Sequence, residues 1–461
     1  LEQHQVIKLL LGILNERQVL TGAQLADRYV HIWEMDQPLL ALVLVLPETT
    51  QQVSDILRIC NEHLQPVIIH GGLTNLVGGT QSSPNQVVLS MERMNHILET
   101  DASSRTITVE AGVILEQVIA QAAQHDLLFP LNFGAKGTAQ VGGILSTNAG
   151  GLRVLKYGMT RNLVLGLEVV LADGTILSNL KKLIKDNSGY DLKQLFIGAE
   201  GTLGVITKAV FRLQERPTSR ISAWVGVNSF EQVVLLLKRL DKALAGKLTG
   251  FELVWRDTFM AMTTPADMRA PLPYDYHYYV LTECLGNAPE ADQELLEATL
   301  AALLEAGIVE DAVVARSEAD LNWFWRIRED VRILSAQANN DQHFDISLPI
   351  PDIGKTMAAI TGQLNAVDEV EVVYRFGHLA DGNIHLIIGK SNNSKLLTEQ
   401  INVIVYGPIK ALGGSVSAEH GIGIDKKSYL HHSKSIAEIE VMKRLKRALD
   451  PNGILNPGRI F

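Results

Sequence analysis

Cysteine is nearly missing from this chain of 461 residues: there are two, Cys60 and Cys284, in no CxxC spacing. That excludes a zinc ribbon and a cysteine-ligated iron–sulfur cluster, and it suits a reducing compartment. A basic excess is missing too. The 41 Lys and Arg face 51 Asp and Glu, for a net charge of −10, which excludes a protein that grips nucleic acid through a broad basic face. Long apolar runs are also lacking. Leu39 to Leu46, boxed by Pro38 and Pro47, is too short for a bilayer and suits a buried strand. Leu9–Leu14 lacks the basic flank and cleavage site of a signal peptide. Cytoplasm is the default expectation, with a membrane-peripheral or organellar location left open. The first residue is Leu1, so removal of an upstream segment is left open as well. No GxGxxG opens a helix after a strand, and no GxxxxGK[ST] occurs.

What is abundant is glycine in one half. Of 37 glycines, 18 lie between Gly71 and Gly204. Most fall in the loops His70–Thr80, Phe129–Gly151, Lys185–Leu192 and Ile197–Thr207. Glycine lets backbone approach a ligand and turn its amides inward. Turns alone account poorly for four clusters, which point to an extended ligand wrapped by several loops.

The hydrophobic pattern places these loops on a frame. Residues 1–35 read as amphipathic helix. Thr49-x-x-Gln52 reads as a capping box before Val53, Ile56, Leu57 and Cys60 at helical spacing. Val67-Ile68-Ile69 is a strand that runs into the first glycine cluster. Short strands follow at 87–89 and 106–110, then a helix at 113–124. Ala172-Asp173-Gly174 signals a hairpin. After Arg216-Pro217 the glycines thin out. Strands at 221–227, 250–254 and 277–284 alternate with helices at 229–240 and 291–306. Further helices are expected at 352–364, 394–412 and 436–449. The expected class is α+β: a helical segment and a glycine-loop domain in two subdomains over 1–216, an antiparallel-sheet cap over 217–415, and a terminal segment over 416–461 that returns to the first domain.

The chemistry-bearing residues come late. Arg375-Phe376-Gly377-His378-Leu379-Ala380-Asp381-Gly382-Asn383-Ile384-His385 sets two histidines around an Asp-Gly turn. Ser417-Ala418-Glu419-His420-Gly421 adds an acid and a third histidine. In one straight strand His378 and His385 would face opposite ways, so the turn must bend the chain for them to converge. Two histidines and a carboxylate suit zinc or manganese. A histidine pair near a turn is more often a surface feature, and spacing alone does not decide between the two.

Taken in order, the loop at 70–80, Thr147-Asn148-Ala149-Gly150-Gly151, Gly198-Ala199-Glu200-Gly201-Thr202-Leu203-Gly204 and Asn456-Pro457-Gly458 resemble the FAD-linked oxidase family with a p-cresol-methylhydroxylase-type flavin domain. Gly377-His378-x-x-x-Gly382-Asn383-x-His385 and Ser417–Gly421 are similar to its D-2-hydroxyacid dehydrogenase branch, which includes D-lactate, D-2-hydroxyglutarate and glycolate enzymes. The resemblance implies non-covalent FAD. It assigns the pyrophosphate to Gly71, Gly72, Leu73, Thr74, Asn75 and Gly79. It assigns the diphosphate, ribitol and ring to Gly137, Thr138, Gly142, Gly143, Asn148, Gly150 and Gly151. Glu200, Gly204, Val205 and Ile206 fall on the adenine side, and Asn456 closes the site. It makes His378, His385 and Glu419 the metal ligands, His420 the general base, Arg328 the substrate-carboxylate clamp and Asn383 a hydrogen-bonding partner of substrate or flavin.

Departures are visible. His70 and Leu73 stand where the family often has Arg and Gly. Arg332, His343 and Ile387 stand where hydroxyglutarate enzymes carry Thr, Lys and Asn. The expected partners are a small D-2-hydroxyacid and an electron acceptor such as an electron-transfer flavoprotein, a cytochrome or a quinone. A homodimer is left open. The competing expectation is a flavin subunit without catalysis, or a non-redox transferase on the same fold.

Overall fold

The computed structural model describes residues 2–33, 35, 37–265 and 268–461. The chain divides into two compact units. The first comprises Leu1–Gly151, Gly158–Arg216 and Glu419–Phe461; the second comprises Leu152–Tyr157 and Pro217–Ala418.

Among the described residues the first unit has two main sheets and a two-stranded pair, Gln214–Glu215 with Leu127–Leu128. Val43–Val45, Val87–Ser90 and Val67–His70 run parallel, with Val19–Leu20 antiparallel at one edge. Parallel strands need apolar cover on both faces, and these strands are Val, Leu and Ile almost throughout. Val43, Val45, Val67, Val87 and Leu89 pack on Val53, Ile56, Leu57 and Cys60 of the helix Thr50–Glu62. Leu44, Ile68 and Val88 face the other way, onto Leu25 and Leu39. The helix starts where expected, with the Thr49 hydroxyl accepting from the Gln52 amide. The Gln52 side chain caps the Glu48 amide instead of closing a box on Thr49. The second sheet is antiparallel, in the order Ile97–Asp101, Thr106–Glu110, Val205–Arg212, Val164–Val170, Ile176–Asn179. Its last hairpin turns at Gly174, whose φ of +87° suits glycine.

The second unit is built on one seven-stranded antiparallel sheet. Its order is Asp311–Val314, Ser219–Val227, Tyr278–Gly286, Leu248–Trp255, Val370–His378, Asn383–Lys390, Gln342–Ser347. Two central strands carry a fully buried acid. Glu283 accepts from Arg153 through both oxygens (2.8 and 3.0 Å), from Arg220 (2.8 Å) and from Thr249 (2.8 Å). Burial acts to raise its pKa, but these partners outweigh it and hold the group near about 2. Arg153 follows Gly150-Gly151 by two residues, so this ion pair anchors the second unit's short segment just past a glycine cluster.

Two expected helices are shorter than the pattern implied. The first ends at Ile13, where Asn15 and Gln18 cap a new 3-10 turn. The helix Lys395–Tyr406 stops before Gly407-Pro408, although Gly407 itself keeps right-handed helical angles (φ −51°, ψ −48°). Both cysteines are buried free thiols with pKa values pushed up to about 12 by burial. They are core side chains, not reactive ones. Among the described residues no helix is long and apolar enough to cross a membrane.

Candidate functional site

In the first unit the loops at 70–80, 130–151 and 198–204 converge, while the one at 187–189 is exposed and bonds only locally. A Cβ on Gly72 would lie 2.1 Å from the carbonyl oxygen of Thr138, and one on Gly71 would lie 3.5 Å from the amide nitrogen of Gly143. The 70–80 and 137–143 loops therefore touch backbone to backbone. Residues 71–76 have six consecutive amides that donate to no acceptor among the described residues, and the amides of Gly150 and Gly151 do the same. Backbone amides without protein acceptors, gathered on glycine-rich loops, can take up a phosphate-bearing ligand. This donor set fits the diphosphate of FAD.

Other expected FAD residues shape the cradle from behind. Asn75 holds its own loop: its Oδ1 accepts from the Gly79 amide (2.8 Å) and its Nδ2 donates to the Thr80 hydroxyl (2.7 Å). The Gly79 amide is therefore spent within the loop. The Thr138 and Gly142 amides donate to Ala135 and Ala111 carbonyls. Gly204 is a packing glycine, since a Cβ there would sit 2.6 Å from Val169. The side chains of Val205 and Ile206 lie in the two cores of the unit, which leaves a ligand only their backbone.

Asn456 accepts from the Ile69 amide (2.9 Å) and donates to the Glu200 carbonyl (2.7 Å), so the tail staples two glycine loops. Leu73, Asn148, Glu200 and Asn456 all have positive φ, between 41° and 56°. Strained non-glycine backbone collects at these loops, as it does at ligand sites generally.

His70 lies under the first loop, 3% exposed, with Nε2 against the Thr80 carbonyl (2.8 Å). Burial pushes its imidazole down to about 4, so it is a neutral loop tie. Glu200 has a task that its expected adenine-side role does not include. Its carboxylate accepts from the amides of Ile422 and Gly423, 2.7 Å each, and so pins the loop that follows Glu419-His420. Burial raises its pKa against those two bonds.

In the second unit the histidine motif is a hairpin. Leu379–Asp381 forms a 3-10 turn and Gly382 takes φ +82°. Phe376 pairs with His385, so His378, two residues further along the strand, shares the face of His385. The turn does what the sequence required of it: the two imidazole centroids are 5.4 Å apart. Asp345 pairs with His385 across the next strand, its carboxylate 3.9 Å from His385 Nδ1. Asn383 donates through Nδ2 to Asp345 (2.8 Å) and to the Ile346 carbonyl (3.1 Å), while its buried Oδ1 has no partner among the described residues. What Asn383 offers a ligand is an acceptor.

Glu252 is the residue that sequence reasoning missed. It sits at 0% exposure, paired in register with His378. Its Oε1 accepts from His378 Nδ1 (2.7 Å); its Oε2 accepts from Arg328 Nε (2.8 Å) and Nη2 (2.8 Å). Arg328, 5% exposed, also lies 4.8 Å over the Phe376 ring. It is a buried member of this cluster, not a surface ion pair along its own helix. Burial acts to raise the Glu252 pKa, but His378 and Arg328 prevail and hold it down. The available signal was an acid inside an otherwise apolar strand, Phe251-Glu252-Leu253-Val254.

At the end of the second unit the Ala418 amide donates to the Asp345 carbonyl and Ser417 donates to the Asp345 carboxylate (3.3 Å each). Glu419 and His420 are the next two residues in the chain. Glu419 and His420 are counted with the first unit, while His378, His385 and Asp345 share one face of the second unit's sheet. Asp345 already accepts two hydrogen bonds. His378 has its Nδ1–H fixed by a carboxylate, as metal-bound histidines do. Two histidines with a carboxylate are the donor types that zinc or manganese takes.

The comparisons bear on the family. Residues 216–460 match the model of the FAD-linked oxidase C-terminal domain, and residues 41–179 match an FAD-binding domain. A putative mitochondrial D-lactate dehydrogenase of Schizosaccharomyces pombe is 40% identical over 89% of this chain and 80% of its own length. A D-2-hydroxyglutarate dehydrogenase of Stutzerimonas stutzeri is 36% identical over 96% of both. Among solved structures, p-cresol methylhydroxylase with substrate bound has a TM-score of 0.77 at 17% identity, covering 100% of this chain and 96% of that one. The chain belongs to the FAD-linked oxidase family, in the branch of the D-2-hydroxyacid dehydrogenases.

Proposed function

We propose that this chain oxidises a small D-2-hydroxyacid to the 2-oxoacid with the help of a divalent metal and a histidine base. The observation that supports it most is the oriented His378 beside His385 on one sheet face, with Arg328 buried against the same carboxylate. FAD, when bound, supplies the acceptor for the hydride from C2. Zinc or manganese at His378, His385 and Glu419 supplies charge that lowers the pKa of the substrate hydroxyl. Arg328 pairs with the substrate carboxylate through guanidinium donors other than those spent on Glu252. His420 takes the hydroxyl proton. The electrons leave for an electron-transfer flavoprotein, a cytochrome or a quinone. A non-redox role on the same fold would not call for this set of three histidines and Glu419.

The substrate reading favours a D-lactate-like acid over one with a second carboxylate. Arg332 points its Nε at Asp330, with 78% of its side chain exposed. His343 is bonded to Asp341 (2.7 Å). Ile387 is 2% exposed in the core cluster with Tyr374 and Phe376. None of the three offers a buried grip on a distal carboxylate. A panel with an artificial acceptor tests this. D-lactate and its longer apolar homologues are expected to show kcat/KM at least tenfold above D-2-hydroxyglutarate; the reverse order would sink the substrate assignment and leave the reaction class standing.

A further inference from the structure

Glu252 sits between two groups that the proposed reaction uses for different purposes. One of its oxygens takes His378 Nδ1 and the other takes Arg328 Nε and Nη2. The carboxylate is wholly buried in the strand Leu248–Trp255, and Thr249, Phe251, Leu253 and Val254 around it are buried as well. A buried carboxylate is retained only when its oxygens are satisfied, and here both are, by groups of the site itself. Its geometry is set by register, since Glu252 stands directly opposite His378 in the antiparallel ladder. The strand thus fixes the acid, and the acid fixes the other two.

We propose that Glu252 is a positioning residue that sets the metal-binding tautomer of His378 and the orientation of Arg328 together. The proposal rests on the metal-assisted reading above. A proton on Nδ1, held by the carboxylate, leaves Nε2 as the atom that carries the lone pair, so ligation falls to Nε2. The same carboxylate takes one edge of the guanidinium and turns the rest of it toward substrate. Metal affinity and substrate affinity are then coupled through one side chain that touches neither ligand.

The test is Glu252→Gln, which keeps size and removes the charge. Zinc affinity of the metal-stripped holoflavoprotein, read by equilibrium dialysis against a chelator series, is expected to fall tenfold to a hundredfold. With saturating zinc, KM for D-lactate is expected to rise by at least tenfold. An unchanged zinc affinity and KM in a folded, FAD-loaded variant would overturn the proposal. Glu252→Gln leaves the Arg328 charge buried without its partner and so risks misfolding. The double variant Glu252→Gln/Arg328→Met removes both charges and gives a second reading. Its zinc affinity is expected to stay low, because a neutral amide oxygen is a weaker acceptor for the His378 Nδ1–H than a carboxylate. Wild-type zinc affinity in that double variant would show a merely structural acid and overturn the proposal. If the wild-type protein itself binds no metal, the functional reading fails, an outcome distinct from wild-type binding that the variants leave unchanged.

Discussion

His420→Ala is expected to reduce flavin reduction by D-2-hydroxyacids 10²- to 10⁴-fold, the usual contribution of a positioned general base, with FAD still bound. The two halves of that outcome have separate causes. On the proposed mechanism, the lost imidazole removes the group that accepts the hydroxyl proton. The surrounding loop does not depend on it. Glu200 accepts from the Ile422 and Gly423 amides, and the loop glycines at 421 and 423 have φ of +86° and +52° that suit them. Nor does the cradle depend on it, since the open amides are those of residues 71–76 and of Gly150 and Gly151. Stopped-flow reduction and the flavin spectrum of the purified variant check both halves. Reduction at the wild-type rate would remove His420 from the mechanism; a colourless variant would assign it to FAD retention instead.

Gly72→Ala should do the opposite, stripping FAD from a chain whose acid–base residues are intact. The new methyl would lie 2.1 Å from the Thr138 carbonyl oxygen, 2.9 Å from its carbon and 3.0 Å from Ala139 Cα. All three are backbone atoms, so no side chain can swing away, and the two loops must part. Overpacking of this kind costs roughly 3 kcal/mol, about a hundredfold in affinity if the strain falls on the bound state. Gly134→Ala is the control in the neighbouring loop, where nothing lies within 4 Å of the added methyl. The readout is the flavin-to-protein ratio after purification and the dissociation constant on adding FAD back. Equal retention by the two variants would mean that the contact of the 70–80 and 137–140 loops does not shape the cradle.

The sequence was informative where local chemistry decides structure. Strands rich in Val and Ile, a helix capped at Thr49 and a glycine-supported turn at Gly382 follow from short-range rules. So does the convergence of His378 and His385, once the Asp381-Gly382 turn is taken as a hairpin. What stayed hidden depends on partners far apart in the chain. Glu252 and Arg328 are 76 residues apart, and nothing local tells that a lone acid in an apolar strand faces a histidine 126 residues on. Glu200 looked like a ligand-side acid by resemblance, yet its carboxylate ties down a loop 222 residues later. Asn456 is a staple for the same reason: its two partners, Ile69 and Glu200, meet it only in three dimensions. Spacing finds the residues that carry chemistry. It does not find the buried acids and amides that hold them, because long-range pairing leaves no periodic mark.

Within the sheet, burial also sorts the departures. Ile387, a simple substitution on paper, lies in the core cluster beside Tyr374 and Phe376. Replacing it with a polar residue would bury an amide among apolar side chains at a cost of about 1–3 kcal/mol unless a ligand satisfied it. The substrate preference and the packing of this face are therefore one property.

The most direct measurement is anaerobic titration of the FAD-loaded, metal-replete protein with D-lactate, followed by the visible flavin absorbance. The account predicts stoichiometric bleaching that is lost on removing the metal with a chelator and restored by zinc or manganese. Bleaching at full rate in the metal-free protein, or none with any D-2-hydroxyacid, would contradict it.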